Sequence, residues 1–200
     1  MTSSMKTLAV VVAAALLVAL PAGADVKKGV AAWSRGDYPA AVREWQPLAD
    51  QGDADARFNL AQAYYLGRGV AQDRAKAEAL YQKAAAQGHV QAASFLGLML
   101  FQDGERRRAM PYLLKASDYG DARAQYVVGL AYFNADLAPK DWVRAYALVS
   151  LSKQAGLPQA ADALAKMDTV VPLEQRQQGL ALADKLANEA KAKREGAAPR

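Results

Sequence analysis

A chain of 200 residues that is 52% hydrophobic and 22% charged is long enough to bury a core of its own. With no cysteine and a single histidine, it offers neither a disulfide framework nor the thiolate and imidazole ligands of a metal site, so no metal and no cofactor are expected. A formal charge of +5 spread over this length is too mild to point to nucleic acid.

Residues 1–24 read as a secretory signal. Lys6 is their only charge, an apolar run follows from Leu8 to Leu20, and Pro21 leads into Ala22-Gly23-Ala24, an A-x-A cleavage site. The run falls short of the roughly 20 residues that a membrane-spanning helix needs. The expectation is export to the periplasm or secretion, with cleavage before Asp25 and contact with a membrane only during export. Residues 25–51 then form a first helical pair, about Val26 to Arg35 and Pro39 to Asp50, turned at Gly36-Asp37. Pro39 suits a first helical turn, whereas Pro47 removes a hydrogen bond and predicts a kink or an early end.

From here the chain repeats itself. Gly52, Gly88, Gly120 and Gly156 recur at intervals of 36, 32 and 36 residues. Four residues after each stands an alanine (Ala56, Ala92, Ala124, Ala160), and eleven before each stands another (Ala41, Ala77, Ala109, Ala145). Such a period with small residues in fixed slots signals stacked helix–turn–helix units. The alanines belong where helices cross closely, and the glycine belongs just past the second helix, in a left-handed cap. Helices are expected at roughly 54–66, 74–87, 90–101, 105–118, 122–134 and 141–154, with Asp73 capping the second of them. Along the first helices Ala56, Leu60 and Tyr64 recur at i, i+4 and i+8, a stripe facing the partner helix.

Gly67-x-Gly69-Val70, Asp73, Ala77, Leu80-Tyr81, Lys83-Ala84-Ala85 and Gln87-Gly88 resemble the Sel1-like repeat, a relative of the tetratricopeptide repeat. Residues 53–88 match closely, 89–120 and 121–156 less so. The second unit lacks four residues and the glycine loop, and the third keeps only Pro139-Lys140-Asp141 of it. The resemblance implies an all-α architecture, an α/α solenoid of about four helix–turn–helix repeats used as an interaction scaffold, and no catalytic residues.

Residues 158–168 begin a fifth unit. A longer helix follows from Leu173 to about Ala190, with Leu173, Leu180, Ala183, Leu186, Ala187 and Ala190 on one stripe and charge on the other, as a terminal cap needs. The expected organisation is therefore a signal peptide at 1–24, a solenoid at 25–168, a capping helix at 169–190 and a disordered tail at 191–200.

Few residues suggest catalysis. His89 reads as a surface turn residue, and Arg106-Arg107-Arg108 as a solvated face rather than an anion site. Ser150-x-x-Lys153 spells a motif of penicillin-binding enzymes, but no K-T-G accompanies it and Ser117-Asp118-Tyr119 only approximates S-D-N. A β-lactam-binding protein or weak hydrolase, and a binder of cell-wall glycan, are the alternatives to a scaffold for a protein or peptide.

A partner surface is suggested by a second apolar stripe. Tyr65, Phe101 and Phe133 stand thirteen residues after the repeat glycines, and Trp33 takes the same slot in the first pair. Phe58 and Gln62, Leu98, and Tyr126 and Leu130 share their side of the first helices. This row either packs against the next unit or, as the resemblance implies, lines the concave groove for a peptide.

Overall fold

The computed structural model describes residues 25–197 and, among them, ten helices and no strand. The expected signal peptide lies outside the described residues. Four antiparallel pairs follow one another: α1 (Val26–Ser34) with α2 (Tyr38–Asp50), α3 (Ala54–Leu66) with α4 (Arg74–Ala86), α5 (Val90–Gln102) with α6 (Arg106–Asp118), and α7 (Ala122–Asn134) with α8 (Trp142–Gln154). Each second helix also packs on the first helix of the next pair, and α9 (Pro158–Asp168) continues the stack on α8. The result is an α/α solenoid.

Local chemistry sets the helix ends. Asp25, Asp37, Asp53, Asp73, Asp121 and Asp141 each accept a backbone N–H of the first turn through the side chain, satisfying a donor that the helix leaves unpaired. At the other end Gly88 adopts φ 96°, and the His89 N–H turns back to the Ala84 carbonyl at 3.1 Å. The same wrap closes the helices before Gly52, Gly120 and Gly156, at a backbone angle that costs glycine little.

Packing between helices follows the small-residue slots. All eight column alanines are completely buried. A third column, missed in the sequence, completes the pattern: Gly29, Ala61, Gly97 and Gly129 occupy one slot of the first helices and are buried throughout. Opposite stands a large column on the second helices, Trp45, Tyr81, Leu113 and Val149. A methyl group at Gly29 would lie 2.2 Å from the Trp45 ring, at Gly97 2.8 Å from Leu113, and at Gly129 2.7 Å from Val149. Small against large keeps the layers interlocked at native density, so an added methyl here costs about 1–3 kcal/mol.

Three expectations need correction. Pro47 neither ends nor shortens α2, which runs on to Asp50. The C-terminal helix, α10 (Leu173–Ala197), docks through Gly179, Ala183, Leu186 and Ala190, and not through the whole expected stripe. Gly179 lets its backbone close on Val143 and Tyr146 of α8, which turns Ala183 and Ala190 inward and leaves Leu173 and Leu180 61% and 48% exposed. Residues 191–197, expected within a disordered tail, continue this helix. Arg194 donates to the Tyr119 carbonyl at 2.6 Å and Lys193 pairs with Asp118 at 3.3 Å, so contacts to the end of α6 hold this last stretch.

Candidate binding face

The first helices of successive pairs share one side of the stack. Their common face holds a cavity of about 370 Å³. Tyr65 of α3, Phe95, Leu98, Met99 and Gln102 of α5, and Arg123, Tyr126 and Val127 of α7 form its walls, with Leu157 and Gln159 at the start of α9. Tyr81 reaches it from α4, in the layer behind. Packed helices sit about 8–10 Å apart, so α3 and α9 would stand far from one another in a straight stack. Lining one cavity together requires the solenoid to curve, with the first helices on the inner side.

The electrostatics of this face are uneven. Arg74, which lies over the Tyr65 ring at 5.2 Å, is spent on both carboxylate oxygens of Asp103, at 2.6 and 2.7 Å. That bond is the first cause of the raised pKa of its guanidinium. Arg123 lies over the Phe95 ring at 5.1 Å and only 3.9 Å from Asp121. At the bottom, the Tyr81 hydroxyl is buried without a hydrogen-bond partner. Burial pushes this phenol well above its ordinary range, helped by the neighbouring Tyr65. A buried polar group left unpaired costs about 1–3 kcal/mol.

The second apolar stripe divides. Tyr65, Leu98 and Tyr126 meet at the cavity, while Phe101, Tyr126 and Leu130 border an adjoining depression of 200 Å³. Phe58 is 8% exposed and stacks on His89 at 4.6 Å, in the packing between α3 and α5. Gln62 is half-buried on α3. Trp33 and Phe133 stand at the mouths of their own pairs, against Tyr38 at 4.7 Å and Trp142 at 6.4 Å. The four aromatics that share the Trp33 slot are each covered in this way by the first residue of the partner helix, since Arg74 and Arg106 lie over Tyr65 and Phe101. Sequence reasoning missed Phe95 and Val127, although both stand seven residues after a repeat glycine, and it missed Tyr81, Met99, Gln102, Arg123, Leu157 and Gln159 as lining residues.

The geometry agrees with what known proteins show. The family model for the Sel1 repeat matches residues 54–89 and 122–157, the pairs α3/α4 and α7/α8, which are the two joined by a long turn. The chain carries Sel1 repeats. A Sel1 repeat protein from Oxalobacter formigenes superposes with a TM-score of 0.58 at 22% identity, over 78% of this chain and 85% of that one. The protective antigen c5321 of uropathogenic Escherichia coli, described as an SLR fold, superposes with a TM-score of 0.50 at 20% identity, over 86% of this chain and 49% of the antigen. Both likenesses establish the fold.

Among curated proteins, DAP3-binding cell death enhancer 1 of Mus musculus is 37% identical over 137 residues, covering 48% of this chain and 27% of the mouse protein. The exopolysaccharide production negative regulator of Rhizobium meliloti (strain 1021) is 30% identical over 112 residues, 54% of this chain and 41% of the regulator. The chain thus spans well under half the length of these relatives. Sel1 repeats generally serve as protein–protein interaction scaffolds.

The remaining candidate residues fall within the architecture of the Sel1 units. Ser150 is buried at 4% exposure in α8 with its hydroxyl unpartnered, and Lys153 points outward, so the two do not form an accessible nucleophile and base. His89 is not a surface turn residue. Its Nδ1 accepts the Ala92 N–H at 3.1 Å as the cap of α5, and its Nε2 stands 3.2 Å from Asp55. Arg106 faces Asp136 at 3.8 Å, and Arg108 bonds to Glu78 and Glu105, leaving Arg107 as a lone exposed cation of the triplet. Among the described residues no group of His, Cys, Asp and Glu is arranged to hold a metal ion, and no helix is long and apolar enough to cross a membrane.

Proposed function

We propose that this chain is an exported scaffold that binds a peptide or protein segment along the inner face of α3, α5 and α7. The observation that carries this reading is the cavity on that face, where aromatic and aliphatic side chains from three successive first helices converge with exposed amides at Gln102 and Gln159. Apolar walls with a few polar groups are what recognition of an extended segment requires. The scaffold role usual for Sel1 repeats supports it, and the leader at residues 1–24 supports a partner outside the cytoplasm.

Site-specific photocrosslinking tests both halves. A benzophenone side chain placed at Leu98, on the inner face, should give adducts in intact cells, whereas one at Leu114, exposed on α6, should not. Equal adducts from both positions would overturn the inner-face reading. N-terminal sequencing of protein from a periplasmic extract should read DVKKGV, and full-length chain in the cytosol would remove the claim of export.

A further inference from the structure

We infer that the segment recognised by the cavity is acidic as well as apolar: an extended peptide that buries one aliphatic or aromatic side chain and carries Asp or Glu within two positions of it. This rests on the reading that the inner face binds a peptide.

The anchor follows from the walls. Phe95, Leu98 and Val127 enclose a space of about 370 Å³, within the range of small-molecule sites and ample for a large side chain with its flanking backbone. The acidic neighbour follows from charge. Arg123 is the one charged residue among those lining the cavity, and no carboxylate faces it there. Its nearest acid is already occupied. One oxygen of Asp121 accepts the Ala124 N–H at 2.9 Å, and the other accepts the Ser94 hydroxyl at 2.8 Å. The 3.9 Å separation from Arg123 therefore leaves the guanidinium, about half exposed, with donors to spare. Arg74, which lies over the ring of Tyr65, is by contrast consumed by Asp103. A planar guanidinium with free donors beside an apolar slot recognises a carboxylate through paired hydrogen bonds. Stacking on Phe95 holds it in place for that bond.

The test is selection of a phage-displayed library of random 12-residue peptides on the purified protein, with Arg123→Gln and Arg123→Glu variants alongside. Arg123 is exposed and its ion pair is long, so both variants should keep the wild-type melting curve. The expected winners carry a large apolar residue with Asp or Glu beside it. Arg123→Gln should weaken them about tenfold, and Arg123→Glu should shift selection toward Lys or Arg at the acidic position. Val127→Trp, which fills the cavity, should remove binding altogether. If the selected peptides show no acidic preference and bind Arg123→Gln within twofold of wild type, the inference is overturned while peptide binding stands. If no peptide is enriched on the folded protein, the inference and the reading beneath it fall together.

Discussion

The turn between α3 and α4 and the turn between α7 and α8 have the same length and the same closure but different contents. In both, the capping aspartate returns its N–H to a tyrosine carbonyl, Asp73 to Tyr64 at 3.0 Å and Asp141 to Tyr132 at 3.1 Å. In both, the residue after the first helix is left-handed, Gly67 at φ 66° and Ala135 at φ 57°. The next slot reaches back to the preceding pair by opposite means. Arg68 lies over the Tyr38 ring at 5.2 Å, whereas Asp136 faces Arg106, in the slot of Tyr38, at 3.8 Å. One slot further the backbones part. Gly69 takes φ 77° with its Cα pressed on the Tyr38 carbonyl, while Leu137 packs its side chain on the central core. The closure of the turn and its link to the previous unit persist, although cation–π contact has given way to an ion pair. The repeat preserves these two fixed points, and different residues reach them at different cost.

The comparison breaks most sharply at Gly69. A methyl group there would sit 2.5 Å from the Tyr38 oxygen at a positive φ. Gly69→Ala should therefore cost about 2–4 kcal/mol in urea unfolding, and a loss under about 1 kcal/mol would mean the loop swings free of α2. The left-handed slot gives a smaller effect of opposite sign. Ala135→Gly should stabilise by roughly 0.5–1 kcal/mol by relieving the strained φ, and Gly67→Ala should cost a similar amount. An unchanged midpoint in both would show that the two turns do not share this conformation in solution.

Tyr81 and Val149 fill one slot in the same two units, and only the tyrosine carries a polar atom. Tyr81→Phe should leave stability unchanged or raise it by up to about 1 kcal/mol, since it removes an unpaired buried hydroxyl. A loss above that size would reveal a hidden partner, such as an ordered water.

The smallest effect concerns the cap slot, where α3 and α7 use Asp53 and Asp121 and α5 uses His89. Burial lowers the His89 pKa, outweighing the pull of Asp55. Its Nδ1 accepts a hydrogen bond only while unprotonated. The neutral form is thus favoured in the folded state, so its contribution is complete above the unfolded value near 6.5 and lost as pH falls from there through the lowered folded value. His89→Asn, which caps without titrating, should remove a pH-dependent loss of a few tenths to about 1 kcal/mol in that window. Equal slopes for both proteins between pH 7 and 5 would assign the acid sensitivity elsewhere.

The sequence by itself determined the helices of the solenoid, their capping residues and the two alanine columns, though not how far α10 runs. Each of these depends on neighbours within a turn or on a slot that recurs at the repeat spacing, so Asp73, Gly88 and Ala77 declare their roles without reference to the rest of the chain. The Gly29–Ala61–Gly97–Gly129 column was equally periodic, but its meaning needed the large residues opposite. The seating of α10 was not legible, because the close backbone approach at Gly179 to α8 left Leu173 and Leu180 outside. Nor was the cavity. Tyr65 and Gln159 belong to units far apart in the chain, and they share one space only because small angles between successive pairs add up to a curve. That curvature belongs to the whole stack rather than to any one unit, so a single unit's residues could not show that Tyr65, Leu98 and Tyr126 share the cavity while Phe58 stays in the packing.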